Sequence, residues 1–99
     1  MYARIVTNFV QPNKVEEGIQ LYRESVLPET KQQRGFQGAM ALADHSKSKV
    51  LVITLWQSEE DAQASGASSA YLQAQFAKAA SLYTAAPLVE TYEVIVQDI

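Results

Sequence analysis

Segments with the composition of β-strands and segments with the apolar spacing of helices follow one another in an order that limits the fold more than any other feature. The strand-like segments, rich in β-branched and aromatic residues, are 3–10, 36–44, 50–57 and 89–96. The helical stripes are Val15, Ile19, Tyr22 and Val26, then Leu72, Phe76, Ala79 and Tyr83. The order β-α-β-β-α-β predicts an α+β domain of ferredoxin-like type with a four-stranded antiparallel sheet, spanning residues 1–99.

Residues that start or stop helices mark the borders of these segments. Asn13 is predicted to cap the first helix, and Gly35 is predicted to end it in the left-handed conformation. Pro28 lacks the N–H that an α-helix requires, so a kink is expected there. Ser58 is expected to cap a short helix that precedes the second main helix.

The strand-like segments are apolar on both faces. In the first, Ile5 and Phe9 alternate with Val6 and Val10, and segment 50–57 shows the same pattern. Two helices cover only one face of a four-stranded sheet, and the other face is normally polar when it meets water. The simplest cover for a second apolar face is the same sheet of a second subunit. The sequence therefore predicts a homodimer.

Composition excludes several classes of function. The formal net charge is −3 and no basic stripe is present, so nucleic acid is not an expected partner. The chain has no cysteine, and its single histidine, His45, cannot build a metal site alone. The longest apolar stretch, 50–56, is far too short to span a bilayer. We therefore expect a cytoplasmic protein without a metal ion or a membrane partner.

Several segments resemble the antibiotic biosynthesis monooxygenase family, whose members are dimeric α/β barrels. The matching segments are Ala3-Arg4-Ile5-Val6 through Val10-x-Pro12-x-Lys14, Gly35-Phe36-x-Gly38, Leu51-x-Ile53-Thr54-Leu55-Trp56-x-Ser58-x-Glu60 and Tyr71-Leu72. These segments follow one another in the order and spacing of the family, and together they cover nearly the whole chain. The resemblance implies a homodimer in which two sheets face each other, with a pocket between sheet and helices in each subunit.

The family includes cofactor-independent oxygenases of electron-rich aromatic molecules, quinol oxygenases and haem-degrading enzymes. The haem-degrading branch combines an asparagine on the first strand with a tryptophan and a histidine on the helices. Asn8 matches the first, but Ser65 and Gln75 stand at the other two positions, so no haem is expected. Quinol-oxygenase-like members carry histidines after the Trp-x-Ser motif, and segment 58–83 has none.

The resemblance implies a cofactor-independent monooxygenase that acts on a small aromatic or quinol-type molecule. The alternative is a homodimer of the same fold that binds a small molecule without catalysis or has a structural role.

Three residues are candidates for catalysis. Asn8 is an amide inside an apolar strand, which either bonds a substrate or bonds the neighbouring backbone. Trp56 ends the third strand, where its indole N–H either meets a substrate oxygen or packs in the core. Tyr71 lies near a helix start, where the helix dipole favours a phenolate.

Tyr22, Phe76 and Tyr83 lie on the helical stripes and are candidates to line a substrate pocket, although such stripes are more often core. His45 is expected in a solvated turn between two strands. Arg4 is expected at an exposed edge of the sheet. Neither of these two is predicted to take part in catalysis.

Overall fold

The computed structural model describes residues 1–99 and contains four strands and four α-helical segments. The strands are β1 (Tyr2–Phe9), β2 (Phe36–Asp44), β3 (Lys49–Trp56) and β4 (Leu88–Glu93). The helices are α1 (Val15–Leu21), α2 (Leu27–Thr30), α3 (Glu59–Ala64) and α4 (Ala70–Ala79). The strands form one antiparallel sheet in the order β2-β3-β1-β4. The predicted ferredoxin-like plan is confirmed, with β1 and β3 at the centre of the sheet.

The central strands divide their side chains between a face covered by helices and an open face. Val6 lies opposite Val52, and Ile5 lies opposite Ile53. Residues directly opposite each other in an antiparallel pair point to the same side, so alternate positions form two separate sets. Val6 is buried on the helix side, whereas Ile5 and Ile53 are half-buried on the open side. The core cluster on the helix side consists of Val10, Val15, Val50 and Leu82.

The open face of the sheet is largely apolar, although it includes Glu90, which pairs with Ile5. Its most exposed members, 42–51% accessible, are Met40, Leu42, Leu88 and Tyr92. Met40 pairs with Ile53, and Tyr92 pairs with Ala3, which places both on the side away from the helices. An exposed apolar patch of this kind marks an interaction surface. The two-faced apolar pattern in the sequence thus corresponds to a sheet that is covered on one face only.

Of the two predicted helix caps, one is present in the structure and the other is not. Ser58 Oγ accepts a hydrogen bond from the Asp61 N–H at 3.1 Å, which confirms the predicted cap of α3. The prediction that Asn13 caps the first helix is wrong. Asn13 takes a left-handed conformation with φ of 69°, which asparagine tolerates in turns, and Lys14 precedes α1 without a side-chain cap.

A π-helical turn, Tyr22–Val26, joins α1 to α2. The Leu27 N–H donates to the carbonyl of Tyr22, five residues earlier, which widens the helix at this point. Pro28 follows directly, as the second residue of α2, and has no N–H to donate to the preceding turn. The irregularity expected at the proline therefore takes the form of a wider turn just before it.

Gly35 has the predicted left-handed conformation, with φ of 83°, but it does not end the helix. The helix stops at Thr30, and Gly35 lies in the turn that leads into β2. Its carbonyl accepts a hydrogen bond from the Gln57 N–H at 2.8 Å. A Cβ atom here would collide with the carboxylate of Asp61, so glycine is required both by backbone conformation and by space.

Two elements end earlier than the sequence predicts. The α4 helix stops at Ala79, and a 3-10 turn follows, so Tyr83 lies beyond the helix in an isolated β-bridge with Val10. Strand β4 stops at Glu93, which pairs with Tyr2, the first residue of β1. Apolar composition extended the prediction to Val96, but a strand continues only as far as its partner does. No helix in the structure is both long enough and apolar enough to cross a membrane.

Candidate functional site

A cavity of about 80 Å³ lies between the helix-covered face of the sheet and the helices. Its floor comes from alternate residues of β1 and β3, and its walls come from α1, the π-helical turn, α2 and α4. The lining residues are mostly apolar, as is usual for small-molecule sites. Those with polar side chains are Arg4, Asn8, Tyr22, Thr30, Thr54, Tyr71, Gln75 and Tyr83.

Five of the six predicted site residues line this cavity. Asn8 comes from β1, and Tyr83 comes from the segment after α4. The other three are Tyr22 in the π-helical turn, together with Tyr71 and Phe76 in α4. The fold thus brings together side chains that are up to 75 positions apart in the sequence. Their roles in binding or catalysis stay a prediction.

Asn8 is held by hydrogen bonds at both ends of its amide. Its Nδ2 donates to the carbonyl of Val50 at 3.1 Å and to that of Val6 at 3.4 Å. Its Oδ1 accepts a hydrogen bond from the Tyr83 hydroxyl at 3.0 Å. Because Oδ1 has a second lone pair, Asn8 can still accept one bond from a ligand.

Trp56 does not line the cavity. It is fully buried on the helix side, and its indole N–H donates to Thr54 Oγ1 at 2.8 Å. Its ring meets that of Phe36 edge to face, with 6.1 Å between centroids. The Arg4 guanidinium lies over the same ring, 4.6 Å from its centroid. The structure thus places the indole beneath a cavity residue, with its single donor already engaged.

The expectation that Arg4 lies at an exposed edge is wrong. Strand β1 is central, and Arg4 is 1% exposed on the same face as Val6. Its Nη1 donates to the carbonyl of Ala62 at 3.0 Å and to Ser65 Oγ at 3.1 Å, at the end of α3. No carboxylate lies within ion-pairing distance of the guanidinium, and burial lowers its pKa. The alternation of β1 was the sequence signal that placed Arg4 beside Val6 on the helix side.

The predicted pocket tyrosines are half-buried phenols. Burial raises the pKa of Tyr22 to about 12 and that of Tyr83 to about 12. Burial also raises the pKa of Tyr71, against the opposing effects of its hydrogen bond to Thr30 and the charge of Arg4. At neutral pH all three are therefore neutral hydroxyl groups that can donate a hydrogen bond.

Two buried polar atoms at the cavity have no protein partner. They are the Tyr22 hydroxyl and Gln75 Oε1. Gln75 is 4% exposed, and its Nε2 donates to Glu29 Oε2 at 2.6 Å, which leaves Oε1 as an open acceptor. Buried polar atoms in proteins nearly always have partners, so two such atoms at one cavity are unusual. In the sequence, Gln75 was notable only because it replaces a histidine of the family pattern, and its burial was not predicted.

His45 lies outside the site, as expected. It starts the 3-10 turn between β2 and β3, is well exposed, and its Nε2 lies 2.8 Å from Glu16 Oε1. The chain has no group of three or more histidine, cysteine or acidic side chains arranged to hold a metal ion.

Replacing Tyr22 with phenylalanine is expected to raise the free energy of unfolding at neutral pH. The change removes a buried hydroxyl without a partner, and burying such a group costs about 1–3 kcal/mol. Because burial raises the pKa of Tyr22 from 10.0 to about 12, the folded state holds this proton while the unfolded chain releases it. The free energy of unfolding of the native protein therefore falls as the pH rises through this range. The variant has no phenol at this position, so its free energy of unfolding lacks this contribution to the fall.

Urea denaturation at about pH 7 and about pH 11 measures both effects. Tyr83→Phe is the matched control, because its hydroxyl has a partner in Asn8 and its loss should lower stability at neutral pH. A Tyr22→Phe variant that is less stable than the native protein at neutral pH would contradict the assignment of an unpartnered hydroxyl.

The chain resembles known proteins in its sequence pattern and in its fold. The model of the antibiotic biosynthesis monooxygenase family matches residues 1–77. None of the curated proteins compared matches the chain.

Among solved structures, a protein of unknown function from Nitrosomonas europaea is 23% identical, with a TM-score of 0.73 over 99% of this chain and 92% of that chain. A conserved protein from Methanosarcina mazei is 20% identical, with a TM-score of 0.71 over 93% of this chain and 91% of that chain. A structure described as an antibiotic biosynthesis monooxygenase is 14% identical, with a TM-score of 0.74 over 97% of this chain and 100% of that chain.

At these identities the solved structures show a shared fold, and the family assignment rests on the sequence model. That model spans 77 of the 99 residues, from β1 into α4. It includes the strand that carries Asn8 and the helix that carries Tyr71 and Gln75. The chain belongs to the antibiotic biosynthesis monooxygenase family.

Proposed function

We propose that the chain is a cofactor-independent monooxygenase that acts on a small aromatic or quinol-type molecule in the cavity between sheet and helices. The observation that carries the proposal is the cavity itself, which is apolar over most of its wall and has a few fixed polar groups. Such a pocket suits an aromatic ring whose hydroxyl groups must be held in one orientation. Family membership supplies the class of reaction.

Oxygenation without a cofactor takes its electrons from the substrate. For a hydroquinone, one oxygen atom of O₂ enters the ring to give a hydroxyquinone and the other leaves as water, so the substrate supplies all four electrons. The protein must hold the substrate, exclude water and stabilise the electron-rich anion that reacts with O₂. In this proposal Asn8 Oδ1 accepts a hydrogen bond from a substrate hydroxyl. Tyr71 gives up its hydrogen bond to Thr30 Oγ1 and donates instead to a developing oxyanion.

The size of the cavity limits the substrate. At about 80 Å³ the cavity is smaller than the engineered cavity of about 150 Å³ that holds benzene. A single ring therefore requires partly exposed wall residues, such as Tyr22 and Phe76, to move outward. Fused ring systems are not expected as substrates.

The hydrogen bonding of Asn8 favours the second candidate, a homodimer that binds a small molecule without catalysis. Both amide hydrogens of Asn8 have backbone acceptors nearby, and Oδ1 already accepts from Tyr83. An amide held in this way can be a structural link between β1, β3 and the segment after α4. Activity is the measurement that separates the two candidates.

Oxygen uptake across a panel of single-ring hydroquinones and phenols, in the presence of a metal chelator, tests the proposal. The native protein is expected to consume O₂ with at least one member, and Asn8→Ala is expected to lose most of this activity while its circular dichroism stays native. His45→Ala is the matched control, because it removes an exposed polar side chain outside the cavity. Saturable ligand binding without uptake would support the non-catalytic candidate instead.

We also propose that the working unit is a homodimer formed by the open faces of two sheets. Support comes from the apolar residues of that face and from the sequence pattern that predicted its burial. A two-fold axis places the same patch on both partners, so one apolar surface is enough to close the assembly.

A further inference from the structure

We propose that the ligand of the cavity is an anion, a hydroxylated aromatic acid whose carboxylate pairs with the buried guanidinium of Arg4. The inference rests on the proposed function, since it names the substrate class of the same cavity. It goes beyond that function because a quinol is neutral and would leave Arg4 unused.

Charge in the cavity favours an anion. Among the lining residues, Arg4 is the only one with an ionised side chain, because the rest are apolar, amide or hydroxyl groups. Glu29, which receives the Gln75 amide hydrogen, is already paired with Lys78 at 3.0 Å. The cavity therefore carries one positive charge that no protein carboxylate balances, and a monoanion would neutralise it.

The hydrogen bonds of Arg4 leave room for a carboxylate. Only Nη1 has protein acceptors, the Ala62 carbonyl and Ser65 Oγ, and these hold the guanidinium against the end of α3. Nε and Nη2 have no acceptor among the hydrogen bonds of the structure. These two nitrogens form one edge of the planar group, the arrangement that binds both oxygens of a carboxylate. Trp56 fixes the plane of the guanidinium from below.

The unpartnered acceptor at Gln75 adds a second requirement. Gln75 Oε1 is buried and can only accept, so it calls for a ligand that donates a hydrogen bond. A ring hydroxyl supplies that donor, and the Tyr22 hydroxyl can accept or donate to the same ligand. A carboxylate for Arg4 together with a hydroxyl for Gln75 describes a hydroxybenzoate-type molecule.

Calorimetric titration of the native protein with isomeric hydroxybenzoates and with their amides is the test. The amide keeps the shape and removes the charge, so the acid is expected to bind roughly tenfold to a hundredfold more tightly. Arg4→Met is expected to abolish this preference, and Arg4→Lys, which keeps the charge but loses the planar fork, is expected to retain part of it. Gln75→Leu should weaken hydroxybenzoate without weakening benzoate.

Equal affinity of the native protein for acid and amide would overturn the inference. It would also be overturned if none of the acids bound. That comparison needs no variant, so misfolding of Arg4→Met cannot obscure it. Inorganic phosphate in a parallel titration distinguishes the aromatic acid from a general anion site, and phosphate binding as tight as the acid would also overturn the assignment. If neutral hydroquinones bind and consume O₂ while acids do not, the proposed function stands and this inference fails. If acids bind through Arg4 without O₂ uptake, this inference stands and the proposed function fails.

Discussion

Trp56→Ala is expected to lower the free energy of unfolding by about 3–5 kcal/mol, the range for removing a large aromatic side chain from a core. The ring is completely buried, packs edge to face on Phe36 and lies under the Arg4 guanidinium. Its loss leaves a cavity and removes the aromatic ring that packs against the buried guanidinium of Arg4. For a domain of this size such a loss is a large share of the total stability.

Urea denaturation followed by circular dichroism measures the effect, and Trp56→Phe is the graded comparison. The phenyl ring fills most of the space but leaves Thr54 Oγ1 without its donor, so a smaller loss is expected. A loss below about 1 kcal/mol for Trp56→Ala would show that the indole does not support the core.

Ile5→Asp is expected to convert a dimer into monomers. Ile5 lies on β1 at the centre of the open face, opposite Ile53 on one side and Glu90 on the other. In a dimer of facing sheets the new carboxylate would be buried beside Glu90 without a counter-charge, a cost of several kcal/mol for each ion. In the monomer it meets water, so the fold itself should survive.

Sedimentation velocity at several protein concentrations measures the change, with circular dichroism as the test of folding. Ala74→Asp introduces the same charge on the exposed surface of α4 and should leave the assembly unchanged. A monomeric native protein, or an Ile5→Asp variant that stays dimeric, would show that the open face is not the interface.

The order of elements was predictable because it depends on local patterns. Apolar periodicity and strand composition placed all four strands within a few residues, and Ser58 marked the start of α3. Errors arose where a distant partner decides the outcome. Strand β4 ends with its partner β1, and Tyr83 leaves the helix because Val10 holds it in a β-bridge.

The candidate site was predictable in part for the same reason. Tyr22 and Phe76 line the cavity from the helical segments that their spacing indicated, whereas Tyr83 reaches it from beyond the helix. What these residues do there stays a prediction. The burial of Arg4 was missed because its charge suggested the surface, whereas the alternation of β1 put it on the buried face. The open acceptor of Gln75 depends on Glu29, 46 positions away, and no local pattern reports such a contact.

The π-helical turn at Tyr22–Val26 has a consequence for how this segment can change over evolutionary time. Removing or adding one residue in a helix rotates everything beyond it by about 100°. A deletion that turned the wide turn into ordinary α-helix would keep either Val15 or Thr30 in its buried position, but not both. We therefore expect related sequences to vary in which residues occupy this stretch more freely than in how many there are.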